Sequence, residues 1–123
     1  MGIEVEKQEA DATVDIKVLV QFQKSGGSVY QGDFVGQFKR VTQDRVDDFL
    51  DDEQGWRNSD VLDEILVGVS GITRGGVEMP ADEQLSWVRQ TPECVNAAVT
   101  SFFRTMRPER YNERTAKNRG GRG

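Results

Sequence analysis

Between residues 14 and 22 the chain reads VDIKVLVQF, with Val14, Ile16, Val18, Val20 and Phe22 on one side of a two-residue repeat and Asp15, Lys17 and Gln21 on the other. That alternation predicts a strand with one buried face. QKSGGS then supplies turn residues, and VYQGDFVGQFKR resumes the alternation through Phe34, Gly36 and Phe38. The two segments predict an antiparallel hairpin. A lone hairpin is marginal in water, so its apolar face needs cover from elsewhere in the chain.

The period then changes to that of helices. Thr42 is a good N-cap, Val41 and Val46 are spaced for a hydrophobic staple, and Val46, Phe49 and Leu50 form an apolar stripe that Gly55 is expected to end. A second helix is expected from Ser59 or Asp60, burying Val61, Leu62, Ile65 and Leu66, with Val69 continuing that face if the helix lasts so long and Gly68 or Gly71 as its left-handed terminus. Gly75 and Gly76 suit a tight turn. After Pro80, ADEQLSWVRQ predicts a short helix burying Leu85 and Val88, with Trp87 at its margin. TPECVNAAVTSFFRTM gives the clearest helix, with Thr91 as cap, Pro92 at the first position, and Val95, Ala98, Val99, Phe102, Phe103 and Met106 along one side.

These elements predict an α+β fold: an N-terminal antiparallel β-hairpin packed on a small bundle of about four α-helices. The 123 residues suffice for one core. The apolar content is concentrated between Thr13 and Met106, which sets the expected organisation as a flexible acidic N-terminus over 1–12, one globular domain over 13–106 and a basic flexible tail over 107–123. Residues 1–103 carry 9 Lys or Arg against 19 Asp or Glu, whereas residues 104–123 carry 7 against 2. An acidic body repels nucleic acid and a basic tail attracts it. The apolar runs are far shorter than the roughly 20 residues of a membrane span, no apolar leader is apparent, and a single Cys94 suggests a reducing compartment.

Little in the chain points to catalysis. There is no histidine, which removes the commonest general base and most zinc sites. Gly68, Gly71, Gly75 and Gly76 follow a helix and lack the lysine of a phosphate loop, so neither a nucleotide cradle nor the GVSG match to a nucleic-acid-clamping GXXG loop is favoured over plain turns. Cys94 falls in the first turn of a helix but has no histidine partner, and a small core residue is the expected role. The carboxylates of DDFLDDE fan around a helix and do not converge on a cation. No cofactor and no metal are expected. Arg104, Arg107, Arg110, Arg114, Lys117, Arg119 and Arg122 are the one polyanion signal; with only Tyr111 to stack on bases, a small nucleic-acid-binding accessory role stands as the alternative reading.

Taken in order, the hairpin, FKRVTQDRVDDFL, SDVLDEILVGVSGI, the glycine turn with VEMPADEQLSWVRQTPECVNAAVTSFF and the closing RYNERTAKN resemble the tail assembly chaperones of long-tailed, siphovirus-type bacteriophages. The likeness runs over residues 13–118 and lies in the order of elements. Val69 stands where that family often has Trp, and Thr73, Arg74, Gly75 and Gly76 replace its acidic turn. The resemblance implies a non-enzymatic factor, acting in the cytoplasm of the infected bacterial host and absent from the mature virion, that binds and solubilises the tape-measure protein. It also implies help in recruiting tail-tube protein, in many such phages through a frameshifted, C-terminally extended product. Self-association suits a coat-forming protein; a membrane partner is not expected. The expected partner-binding groove surrounds the second helix and the glycine turn and comprises Leu62, Leu66, Val69, Ile72, Val77, Met79 and Trp87.

Overall fold

The computed structural model describes Gly2 and residues 13–107. Two strands, β1 (Thr13–Gln23) and β2 (Val29–Lys39), form the hairpin, paired without interruption from Thr13 opposite Lys39 to Gln23 opposite Val29. Gly26 and Gly27, both at positive φ, turn the chain between them. Then follow α1 (Gln43–Leu50), α2 (Asn58–Ile65), β3 (Leu66–Ser70), a two-residue pair β4 (Thr73–Arg74) and β5 (Val77–Glu78), α3 (Ala81–Gln90) and α4 (Pro92–Met106). The fold is α+β, with an antiparallel sheet on one side and four α-helices among the described residues.

The sheet has three strands, in the order β1-β2-β3, because the chain after Ile65 leaves the helical path. Leu66–Ser70 pairs antiparallel with β2, Val69 facing Gly36 and Leu66 facing Phe38, with a register break at Gln37/Phe38 that Val67 fills. The expected end of α2 at Gly68 or Gly71 is therefore corrected to Ile65. LVGVS is rich in β-branched residues, and the second side of β2 offers it a ladder that a last helical turn lacks. Gly68 lies inside β3 and has no positive φ; Gly71, at φ +93°, is where the strand ends.

The helices cover one face of the sheet, α4 lying over β1, α3 over β3, and α2 against α4. Ile16, Val18 and Val20 of β1 and Phe34 and Phe38 of β2 meet Val61, Leu62 and Ile65 of α2 and Val95, Ala98, Val99 and Phe102 of α4 in one core. Phe38 and Phe102 stack at its centre, 5.6 Å between ring centroids. Gly36 is small because it must be: a Cβ there would lie 2.6 Å from the Phe38 ring.

Thr42 caps α1 as expected, its hydroxyl accepting from the Arg45 N–H at 3.3 Å. The helix is shorter than expected, however. It stops at Leu50, the Asp51 carboxylate caps a following 3-10 turn over Asp52–Gln54, and Gly55, at φ +68°, ends that turn instead. Thr91 precedes α4 with Pro92 at its first position, but its hydroxyl donates back to the Trp87 carbonyl at 2.7 Å, so it binds α3 to α4 and does not cap the new helix.

Arginines fasten the helices at the surface. The Arg45 guanidinium donates to both carboxylate oxygens of Glu64, one at 2.7 Å, and to Asp48 at 2.8 Å, while lying over the rings of Phe49 and Trp56. It thus joins α1 to α2. The Arg45 charge, hydrogen-bonded to Glu64, holds that carboxyl below its ordinary range. Arg107, assigned from sequence to the tail, is tied back to α1: its Nη1 donates to Asp47 Oδ2 at 3.3 Å and makes an ion-pair contact of 3.1 Å with Oδ1, outside hydrogen-bond geometry. The other expectations for the N-terminus and the tail fall on residues outside those described.

Candidate functional site

Both strands of the hairpin are eleven residues long, about 37 Å at ~3.4 Å per residue. The helices do not cover that whole length. Toward the hairpin turn the inner face carries Phe22 and Tyr30, with Gly32 contributing no side chain, and a groove of ≈ 200 Å³ opens between this end of the sheet and the helices. Val20 and Phe34 form its floor, Gly71, Ile72 and Thr73 one wall, and Trp87 the other. Phe22 lies 6.0 Å from the Tyr30 ring and 6.3 Å from the Trp87 ring, centroid to centroid. Tyr30 is 53% exposed and Trp87 37%. A half-open aromatic cluster of this kind offers large, rigid apolar area to a partner at small entropic cost.

The wall of this groove is set by one buried polar side chain. Gln84, 2% exposed, points from α3 into the glycine hairpin, where its Nε2 donates to the Met79 carbonyl at 2.6 Å and its Oε1 accepts from the Ile72 N–H at 3.0 Å. The Met79 N–H in turn donates to the Ile72 carbonyl at 3.0 Å, closing the loop whose tip, Gly75 and Gly76, sits at φ +60° and +81° between Arg74 and Val77. Two consecutive residues at positive φ suit the turn that joins a tight two-residue hairpin. The glycines therefore shape a small hairpin that Gln84 holds beside Trp87.

Of the seven residues expected to form a partner groove, Ile72 and Trp87 line this one. Leu62, Leu66 and Val69 are core residues, and Met79 is buried next to the glycine hairpin. Burial corrects these four as surface contacts. Leu62 faces inward from α2 and Leu66 and Val69 from β3, and inward-facing residues and an outward groove have the same apolar spelling. Val77 is 71% exposed on β5 but is not among the groove-lining residues. In the sequence Phe22 and Tyr30 belong only to the hairpin pattern; the signal that singles them out is a bulky aromatic on each side of the turn, on the buried-face register.

Cys94 closes the bottom of the groove from the first turn of α4. It is buried and part of the core, and burial, with a lesser contribution from Glu93, pushes its thiol up to about 11. The acids of DDFLDDE take separate directions, Asp47 to Arg107 and Asp48 to Arg45. Among the described residues no group of three or more potential metal ligands gathers, and no helix is long and apolar enough to cross a membrane. Comparison with protein families, curated proteins and solved structures finds no match to this chain.

Proposed function

We propose that the protein is a tail assembly chaperone of a long-tailed bacteriophage, which binds and solubilises the tape-measure protein in the cytoplasm of the infected host and helps bring tail-tube subunits to it. The observation that carries this reading is the open aromatic groove of Phe22, Tyr30, Ile72 and Trp87. A long helix with an apolar stripe aggregates when alone, and a rigid aromatic slot on a small, net acidic domain can cover part of that stripe while keeping the complex soluble. The order of elements along the chain supports the same reading. Chemistry at the groove is that of contact: its polar members are Thr73 and Asp33 at the rim, the Tyr30 hydroxyl and the thiol of Cys94.

The test is co-expression of the chain with the tape-measure protein of the same phage or prophage genome. Wild type is expected to hold the tape-measure protein in the soluble fraction and to co-purify with it. A Tyr30→Ser, Trp87→Ala double variant, whose substitutions fall on half-open side chains outside the core, is expected to fold and to leave the tape-measure protein insoluble. A folded double variant that retains the partner as well as wild type does removes this groove; a wild type that retains none removes the function.

A further inference from the structure

Among the described residues β1 has a strand neighbour on one side only, so its other side is a sheet edge. Natural edges are usually blunted by proline, bulges or brevity. β3, on the far side of the sheet, is five residues long and has a register break. β1 has none of these: eleven residues, neither proline nor glycine, and an unbroken register with β2; its one blunting device is charge, at Asp15 and Lys17.

Which backbone groups face that edge follows from the turn. The Lys24 N–H donates to the Ser28 carbonyl at 2.9 Å, and these residues continue the β1–β2 register. In an antiparallel ladder, residues that exchange hydrogen bonds alternate with residues that do not. Counting back from Lys24, the even-numbered residues of β1 bond to β2, and Thr13, Asp15, Lys17, Leu19 and Gln21 turn their N–H and C=O groups outward. Beside them runs α4, with a ≈ 290 Å³ groove between strand and helix to which Lys17, Leu19, Ala97, Thr100 and Ser101 contribute. On the helix Ala97, Thr100 and Ser101 are small and lie between the larger Asn96 and Arg104, which leaves the middle of this stretch open to a further strand.

We propose that two copies of this chain join by their β1 edges, antiparallel about a twofold axis at Ile16, into one continuous six-stranded sheet. Charge selects this register. It sets Asp15 of each copy opposite Lys17 of the other and Thr13 opposite Leu19, using the outward backbone groups of all four. Sliding one way by a single ladder step sets Lys17 against Lys17; sliding the other way sets Asp15 against Asp15. Within one chain Asp15 faces Gln37 and Lys17 faces Val35, so neither meets an opposite charge across the hairpin. The contact is separate from the aromatic groove and holds whether or not that groove binds the tape-measure protein.

Sedimentation equilibrium on the full chain from micromolar to millimolar concentration, at low and moderate salt, tests the pairing. Wild type is expected to form dimers. By symmetry, Asp15→Lys alone or Lys17→Asp alone turns two attractive cross-strand pairs into two repulsive ones and should weaken association by roughly tenfold or more. The double variant Asp15→Lys, Lys17→Asp restores both pairs in reverse and should regain most of it. Circular dichroism checks that these exposed positions leave the fold intact. A wild type that stays monomeric throughout, whether because the edge is covered by its own chain or open to a different partner, overturns the proposal. So do dimers indifferent to the single changes, or a double variant no tighter than either single.

Discussion

Replacing Gln84 by Met keeps the bulk of the side chain and removes both of its hydrogen bonds, which isolates the link between α3 and the glycine hairpin. The Met79 carbonyl lies in buried surroundings and would lose its partner; the Ile72 N–H, partly buried, would lose its own. A buried group left unpaired costs ~1–3 kcal/mol, and a half-exposed one can recover part of that from water, so the expected loss is about 2–4 kcal/mol. For a domain of this size each kcal/mol shifts the melting temperature by about 4–8 °C, so the variant should melt at least some 8 °C below wild type. Urea titration gives the free energy, and amide exchange gives the location. The Ile72 amide should lose protection well before the β1–β2 ladder does, because the hairpin of residues 72–79 can open alone. A Gln84→Met variant within about 0.5 kcal/mol of wild type, or one in which Ile72 exchanges no faster, would refute the assignment of this side chain as the fastener of the groove wall.

Two further outcomes follow from the titratable groups. Because the Arg45 hydrogen bond lowers the Glu64 carboxyl, the link between α1 and α2 contributes its stability above the ordinary glutamate value and loses it as pH falls through the lowered folded value. Glu64→Gln should therefore be less stable than wild type at pH 7, and the gap in urea midpoint should shrink steadily from about pH 5 downward; an equal gap at pH 7 and pH 3 would contradict this. With its thiol pushed up to about 11, Cys94 is thiolate in roughly one molecule in a thousand at pH 8, and burial blocks the rest. Iodoacetamide should leave the native protein unlabelled and label it promptly in urea; fast native labelling would show the groove floor to be open.

Most of the fold could be read along the chain because alternation and helical spacing are local signals. The hairpin, the Thr42 cap, Pro92 at the start of α4 and the Gly75–Gly76 turn each depend on a few adjacent residues. β3 could not be read this way. Leu62, Ile65, Leu66 and Val69 satisfy a helical repeat, and only the presence of β2's second side, supplied from thirty residues earlier, decides for a strand. The same limit hid the Arg45 to Glu64 link, which joins residues nineteen apart with no motif between them. Gln84 did leave a trace: it lies four residues before Val88, on the inward side of α3, where a polar residue needs partners. The groove was illegible for a different reason, since exposure depends on where the helices fall short of the sheet, and residue type alone does not record that.

The short tie between Arg107 and Asp47 fixes more than the end of α4. Cys94 at the first turn of that helix touches the aromatic groove, and thirteen residues at ~1.5 Å each carry the backbone about 20 Å away before the tie is reached. Arg107 thus stands far along the body from the slot, at the other end of α4. Contacts made at Trp87 and at Arg107 would therefore be held apart by most of the length of a helix, with no need for either to yield to the other.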